Sequence, residues 1–196
     1  EAALIGLICG LSVAASPTIL LALAVPPFIA AVHGGFRGMV LALGAEVEIA
    51  SREVIRRVPL ERFITGLRRT DLRPGELVVA LHVARPTHPA RSAFLKLGAR
   101  RYLVISIAMA AATIEIVDGR IAAARLAVGA CSAVAQRLPA LEAALLGAPV
   151  DGHLAGLVDS AHLAPLAPID DIRGSAGYRG DSVLVLLRRL LAGFAS

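Results

Sequence analysis

Lysine occurs once, at position 96, although lysine and arginine together number 20. An ammonium group is a compact, mobile point charge with three donors, suited to stabilising an anion or an acceptor-rich ring. Lys96 is therefore the first candidate for chemistry. The other reactive side chains are dispersed. His33, His82, His88, His153 and His162 form no HxxxH or HExxH spacing, and Cys9 and Cys131 lie far apart in the chain. That arrangement encodes no zinc or iron–sulfur site. No Ser–His–Asp order stands out, and the carboxylates show no catalytic spacing. Asp170 and Asp171, just before "IRGSAGYR", read as caps for the last helix, their carboxylates meeting its unpaired amides.

Composition narrows the partners. The formal charge is +5 and the pI is near 10.2. The arginines are scattered or paired (Arg56–Arg57, Arg68–Arg69, Arg100–Arg101, Arg188–Arg189) and make no basic run. They read as solvated or ion-paired surface, with an anionic ligand or an acidic partner subunit as their other use. Aromatic residues make up 4% and tryptophan is absent, so there is no stacking platform for nucleic acid and no nucleic-acid partner is expected.

The 196 residues suffice for one good core or two small ones. A hydrophobic fraction of 57% and a mean hydropathy of +0.73 are high for a free-standing soluble domain. Residues 2–32 carry no charge, a length that could span a bilayer. Pro17, Pro26 and Pro27 interrupt that stretch, and no basic flank marks a signal peptide. The reading is an apolar, buried, broken segment in a cytoplasmic protein, with membrane attachment unlike it. The chain opens on Glu1 without methionine, which reads as a processed or partial product.

Orderly patterning begins near Ala45. "AEVEIASREVIRRVPL" alternates and turns around Ser51 to Glu53, a hairpin of two strands. "LERFITGLRRTDLRPGE" reads as a short helix and loop, and "ELVVALHVARP" as a strand ended by Pro86. "RSAFLKLGAR" is the next strand, joined by the polar "RPTHPA" in what suits an antiparallel connection. "SIAMAAATIEIVDGRIAAARLAVGA" reads as a helix start and a second hairpin, with Asp118-Gly119 as its type I′ turn. "RLPALEAALLGAP" and "VDGHLAGLVDSAHLAPLAP" follow as helices, and an amphipathic helix begins near Ser175. The fold class is α+β, a mainly antiparallel sheet with flanking helices and a C-terminal helical run. No GxGxxG and no P-loop is present, and "HGGFRG" at 33–38 reads as a loop.

Four phrases, in order, resemble a known family: "TDLRPGELVVALHV", "FLKLGARRYLVISIAMAAA", "GRIAAARLAVGACSAVAQRLPALEAALLG" and "PIDDIRGSAGYR". They are similar to the FAD-binding medium subunit of molybdenum hydroxylases, the xanthine dehydrogenase and carbon monoxide dehydrogenase flavoprotein family. The resemblance covers about residues 41–195. It implies that residues 1–85 are the remnant of a second FAD-binding subdomain, with 1–40 atypical and apolar. Residues 86–196 then form the C-terminal domain, and the first flavin subdomain is missing.

The resemblance implies an oxidoreductase subunit that holds FAD. Its partners would be a molybdopterin-binding large subunit and a small [2Fe-2S] subunit, whose electrons pass through the flavin to an acceptor. Lys96 would reach the flavin region, and backbone near Val79 would lie against the ring or ribityl chain. The other role open to Lys96 is to snorkel from a sheet edge, its stem covering apolar surface. Family members carry a segment like TIGGNLxxASPxxD, and the nearest text here is "LICGLSVAASPTI" at 7–19. It places Ile8, Cys9, Gly10 and Ser16 at the cofactor. Cys9 stands for a glycine and Leu11 for the asparagine, which removes permissive geometry and a polar partner from a diphosphate site. Weak or absent flavin binding by this chain alone is the expectation, and a non-catalytic subunit-docking module is the alternative.

Overall fold

The computed structural model describes residues 18–21, 40–100 and 104–195. A first antiparallel sheet is built from β1 (Thr18–Leu21), β2 (Glu46–Ala50), β3 (Ile55–Pro59) and, after an excursion, β6 (Leu77–Ala84). Its strand order is β1-β6-β2-β3. Ser51 closes the β2–β3 turn, its Oγ accepting from the amide of Val54 at 3.0 Å, as short polar side chains do in turns. The excursion is not a plain helix and loop. After α1 (Leu60–Phe63) the chain makes a small ribbon of β4 (Ile64–Gly66) and β5 (Arg69–Thr70).

Arg56 fastens this excursion to β3. Its Nε and Nη2 donate to the two carboxylate oxygens of Glu76, both at 2.8 Å, and its Nη1 donates to Asp71 Oδ2 at 2.7 Å. Such a fork fixes geometry in a way a single point charge does not.

The second sheet contains β7 (Ala90–Leu97), β8 (Ala108–Val117), β9 (Arg120–Gly129) and β10 (Gln136–Arg137), in the order β10-β9-β8-β7. The β8–β9 hairpin closes through Asp118 and Gly119 with φ of 48° and 72°. Positive values at both positions are what a type I′ turn requires. Then come α2 (Pro139–Leu145), two 3₁₀ turns at Leu154–Leu157 and Ser160–Leu163, and α3 (Ala176–Ala192). The expected helix over "VDGHLAGLVDSAHLAPLAP" is thus two short turns. Among the described residues no helix is long and apolar enough to cross a membrane.

Two further expectations are corrected. β6 and β7 do not pair with one another, because each belongs to a different sheet and the polar linker crosses between them. "SIAMAAA" is not a helix start but the lead into β8. Ala108, Ala110, Ala112 and Ile114 face α2 and α3, packing with Leu141, Leu145, Val183, Leu187 and Leu191. The alternate position Ala111, with Ala127 of β9, packs against Val47, Ile49 and Leu81 of the first sheet. A strand covered on both faces reads as a continuous apolar run, and a run of alanine imitates a helix.

Two buried carboxylates tie these layers together. Glu115 of β8 accepts from the amides of Thr87 and His88 at 3.0 and 3.1 Å, holding the linker between the sheets. Glu142 of α2 accepts from the amide of Leu126 at 2.8 Å and from Arg137 Nε at 2.9 Å.

Removing Glu142 orphans a buried amide and a half-buried guanidinium together. Glu142→Ala is expected to cost about 3 kcal/mol of unfolding free energy in urea titrations, and a loss under about 1 kcal/mol would refute that anchor. The Arg56 fork predicts a pH signature. Arg56 first, then the Arg73 amide, hold the Glu76 carboxyl down to about 2 from its ordinary 4.5. A depressed value contributes stability that is complete above pH 4.5 and is lost as pH falls toward 2. Arg56→Met should therefore be less stable than wild type above that window and converge on it at the acid end. Urea midpoints that stay parallel across the window would contradict this.

Candidate functional site

Lys96 pairs with Met109 of β8, and Met109 pairs with Gly129 of β9. Residues directly opposed across a sheet share a face. The row two positions away is Phe94, Ala111 and Ala127, all of which pack in the core between the sheets. Lys96 therefore lies on the face turned toward the first sheet, one row beyond that core. Gly129 serves this row by its missing side chain, since a Cβ there would lie 2.9 Å from Met109.

The Lys96 side chain is exposed, and its Nζ donates to the carbonyl of Val104 at 2.7 Å. An ammonium has three donors. Among the described residues no carboxylate neutralises this one. Val79 sits in β6 where the register against β2 shifts, between Val78 opposite Ile49 and Ala80 opposite Glu48. It is exposed, as are Leu77 in the same strand and Ile105 in the segment that follows Val104. Ile8, Cys9, Gly10 and Ser16 lie outside the described residues.

A flavin asks for apolar surface against its ring and for donors or positive charge at its carbonyl edge. Taken singly, the ammonium of Lys96 and the exposed side chains of Val79 and Ile105 are groups of that chemistry. The segment that the resemblance assigns to a pyrophosphate, residues 7–19, lies outside the described residues but for Thr18 and Ile19.

The sequence reading missed two polar clusters. On the outer face of the first sheet, Glu48 Oε2 accepts from Arg57 Nε at 2.9 Å and lies 2.8 Å from His82 Nε2. Arg57, followed by His82, holds the Glu48 carboxyl below its ordinary range. His82 is buried, and its Nδ1 has no partner among the described residues. This cluster borders a cleft of about 460 Å³ lined by Glu46, Arg57, Pro59, His82, Ala84 and Arg137, among others. Lys96 and Val79 are not part of its lining. The alternation of "EVEIA" and "ALHVA" was the available signal, since it puts Glu46, Glu48 and His82 on one face.

The second cluster centres on Arg179, in the first turns of α3 and 2% exposed. Its Nη1 donates to the carbonyls of Ile107 at 2.5 Å and Ala130 at 2.9 Å. Its Nη2 donates to Asp171 Oδ1 at 2.6 Å. The Asp pair expected to cap α3 is divided in its labour. Asp170 accepts from the Ala176 amide at 2.6 Å, as a cap does, whereas Asp171 serves Arg173 and Arg179.

Known proteins match along most of the chain. Residues 93–193 match the family described as the CO dehydrogenase flavoprotein C-terminal domain. Residues 29–86 match the FAD binding domain in molybdopterin dehydrogenase. The nicotine 6-hydroxylase medium subunit of Paenarthrobacter nicotinovorans is 30% identical over 164 residues, 81% of this chain and 56% of that protein. A putative xanthine dehydrogenase FAD-binding subunit of Escherichia coli strain K12 is 27% identical, over 78% of this chain and 52% of its own. Among solved structures, reconstituted CO dehydrogenase from Oligotropha carboxidovorans superposes with a TM-score of 0.72 at 26% identity, covering 81% of this chain and 55% of that one. Quinoline 2-oxidoreductase from Pseudomonas putida 86 shares the fold, with a TM-score of 0.74 at 23% identity over 93% of this chain and 76% of that one. The chain spans about half the length of the curated relatives it matches.

Cys131 lies beside the Arg179 cluster, its Sγ facing the Ile107 carbonyl at 3.9 Å. Burial pushes its thiol up to about 11, with Arg179 opposing that rise. A buried, protonated thiol is a poor nucleophile. The peptide containing Cys131 should stay unmodified by iodoacetamide at pH 8 in the native protein and be alkylated in denaturant, as read by mass spectrometry. Rapid native alkylation would show that this corner opens.

Proposed function

The chain belongs to the CO dehydrogenase flavoprotein C-terminal domain family, and from that membership we propose that it is the FAD-carrying electron-transfer part of a molybdenum hydroxylase. The observation that carries the reading is the succession of two matches in one chain, an FAD-binding domain followed by the flavoprotein C-terminal domain. We divide the chain accordingly at residues 85–86, where the linker held by Glu115 passes from the first sheet to the second. Bound FAD would supply a carrier that takes electrons from [2Fe-2S] clusters of a small subunit and delivers them to an acceptor. A molybdopterin-binding large subunit would oxidise the substrate.

This chain's own contribution is positional and electrostatic. Lys96 presents a positive charge, tethered at one proton to the Val104 carbonyl, with no carboxylate paired to it among the described residues. Such a charge favours the more negative, reduced form of a neighbouring ring and so raises its reduction potential. Val79, Leu77 and Ile105 offer apolar surface that a planar ring would cover. Ile8, Cys9, Gly10 and Ser16 are the residues we assign to the cofactor's diphosphate side, on the strength of the resemblance alone.

The test is the flavin itself. Protein purified with its partner subunits should show a flavin absorbance band. Lys96→Met should lower the midpoint potential by about 30 mV for each tenfold change in the two-electron equilibrium. A complex that assembles yet stays colourless with added FAD would replace this reading with that of a docking module.

A further inference from the structure

Arg179 is expensive where it stands. Its guanidinium is buried in the first turns of α3, the end of a helix that disfavours a cation. A buried charge needs partners to offset its desolvation, and the partners it has are informative. Apart from Asp171, they are two backbone carbonyls, Ile107 at the entry to β8 and Ala130 just beyond the exit of β9. Ala130 holds a φ of 65°, an unusual conformation for a residue with a side chain. The guanidinium thus clasps the entry to β8 and the exit of β9 at one end of the second sheet.

The clasp leads to Lys96. Ile107, whose carbonyl Arg179 holds, also donates its amide to the Leu97 carbonyl at 2.8 Å. Three residues earlier, the Val104 carbonyl receives the Lys96 ammonium. Three residues span at most about 11 Å, so the Ile107 and Val104 carbonyls belong to one short segment. Val104 has little freedom of its own. Its side chain fills the space over Gly98, where a Cβ would lie 2.6 Å from Val104 Cγ1.

We propose that Arg179, held by Asp171, is a positioning residue for Lys96: by clasping Ile107 it fixes the Val104 carbonyl and so the place of the chain's single ammonium. The functional meaning of that placement rests on the flavin reading above, but the placement itself does not. Asp171 orients the clasp. Its carboxyl is held below the ordinary range first by the Arg173 amide and then by Arg179, so it stays charged opposite the guanidinium.

The experiment uses the full chain labelled with ¹⁵N at lysine Nζ, which yields one resonance because the sequence has one lysine. Arg179→Gln is expected to move that resonance and speed its proton exchange, while Arg179→Lys, which keeps the charge and part of the clasp, adds a second resonance, assigned by its persistence in Arg179→Lys/Lys96→Met, and restores much of the wild-type Lys96 signal. Asp171→Asn leaves the guanidinium in place and should give a smaller shift in the same direction, which covers the case in which Arg179→Gln fails to fold. An unmoved Lys96 signal in folded Arg179→Gln, or in Asp171→Asn if the former does not fold, overturns the inference. In the FAD-loaded complex, Arg179→Gln should lower the flavin potential as Lys96→Met does, and the double variant should fall no further than Lys96→Met alone. Additive shifts would mean that Arg179 does not act through Lys96. If Lys96→Met leaves the potential unchanged while the Lys96 signal still responds to Arg179, the flavin reading fails and the positioning role stands.

Discussion

The central strand β8 is buried on both faces, and that constraint governs which residues the second sheet can use. β8 has to meet helices on one side and another sheet on the other. Alanine at 108, 110, 111 and 112 satisfies both contacts because it lets each layer approach closely. Large side chains come instead from the covering layers, Leu187 and Leu191 from α3 and Ile49 and Leu81 from the first sheet. Interiors pack at crystal-like density, so this exchange of bulk leaves little room for substitution inside β8. It also leaves only the margins of the sheet for polar chemistry, and Lys96 stands at such a margin.

The hairpins, their turns and the last helix were legible in the sequence because each carries a local signal: alternation in "EVEIA" and "IRRVP", Asp118-Gly119, and Ser175 before an amphipathic run. β8 was not, since its alanines have the composition of a helix and its burial on two faces erases the alternation that marks a strand. The pairing of β6 with β1 and β2, in place of β7, was also hidden. A short polar linker suits a hairpin, and only the anchoring of Thr87 and His88 to Glu115 shows that it crosses between layers. Of the candidate site, Lys96 stands out by its rarity and Val79 only through family resemblance. Arg179 went unremarked although it sits in a quoted phrase, because its partners are carbonyls that no residue pattern encodes.

The chain's arginines and its lysine do different physical work. Arg56, Arg137 and Arg179 use the planar fork to hold two or more acceptors at once, fixing loops and strand ends. A guanidinium committed in that way has its geometry spent on structure. Among the described residues the ammonium of Lys96 donates to one carbonyl, and its side chain is exposed. That difference suits a group meant to meet a ligand.

Because the Val104 carbonyl has no side chain of its own to be chosen by sequence, its position is inherited from its neighbours: Gly98 under Val104, Leu97 against Ile107, and the Arg179 clasp from a helix some seventy residues further along the chain. On the proposal above, the C-terminal helix takes part in placing the Lys96 charge through Ile107. A fold that joins a rigid, doubly covered sheet to a marginal cation through backbone carbonyls holds charge in place without burying it. An exposed cation keeps its hydration until a ligand arrives, and tethering it beforehand lowers the entropy lost on binding.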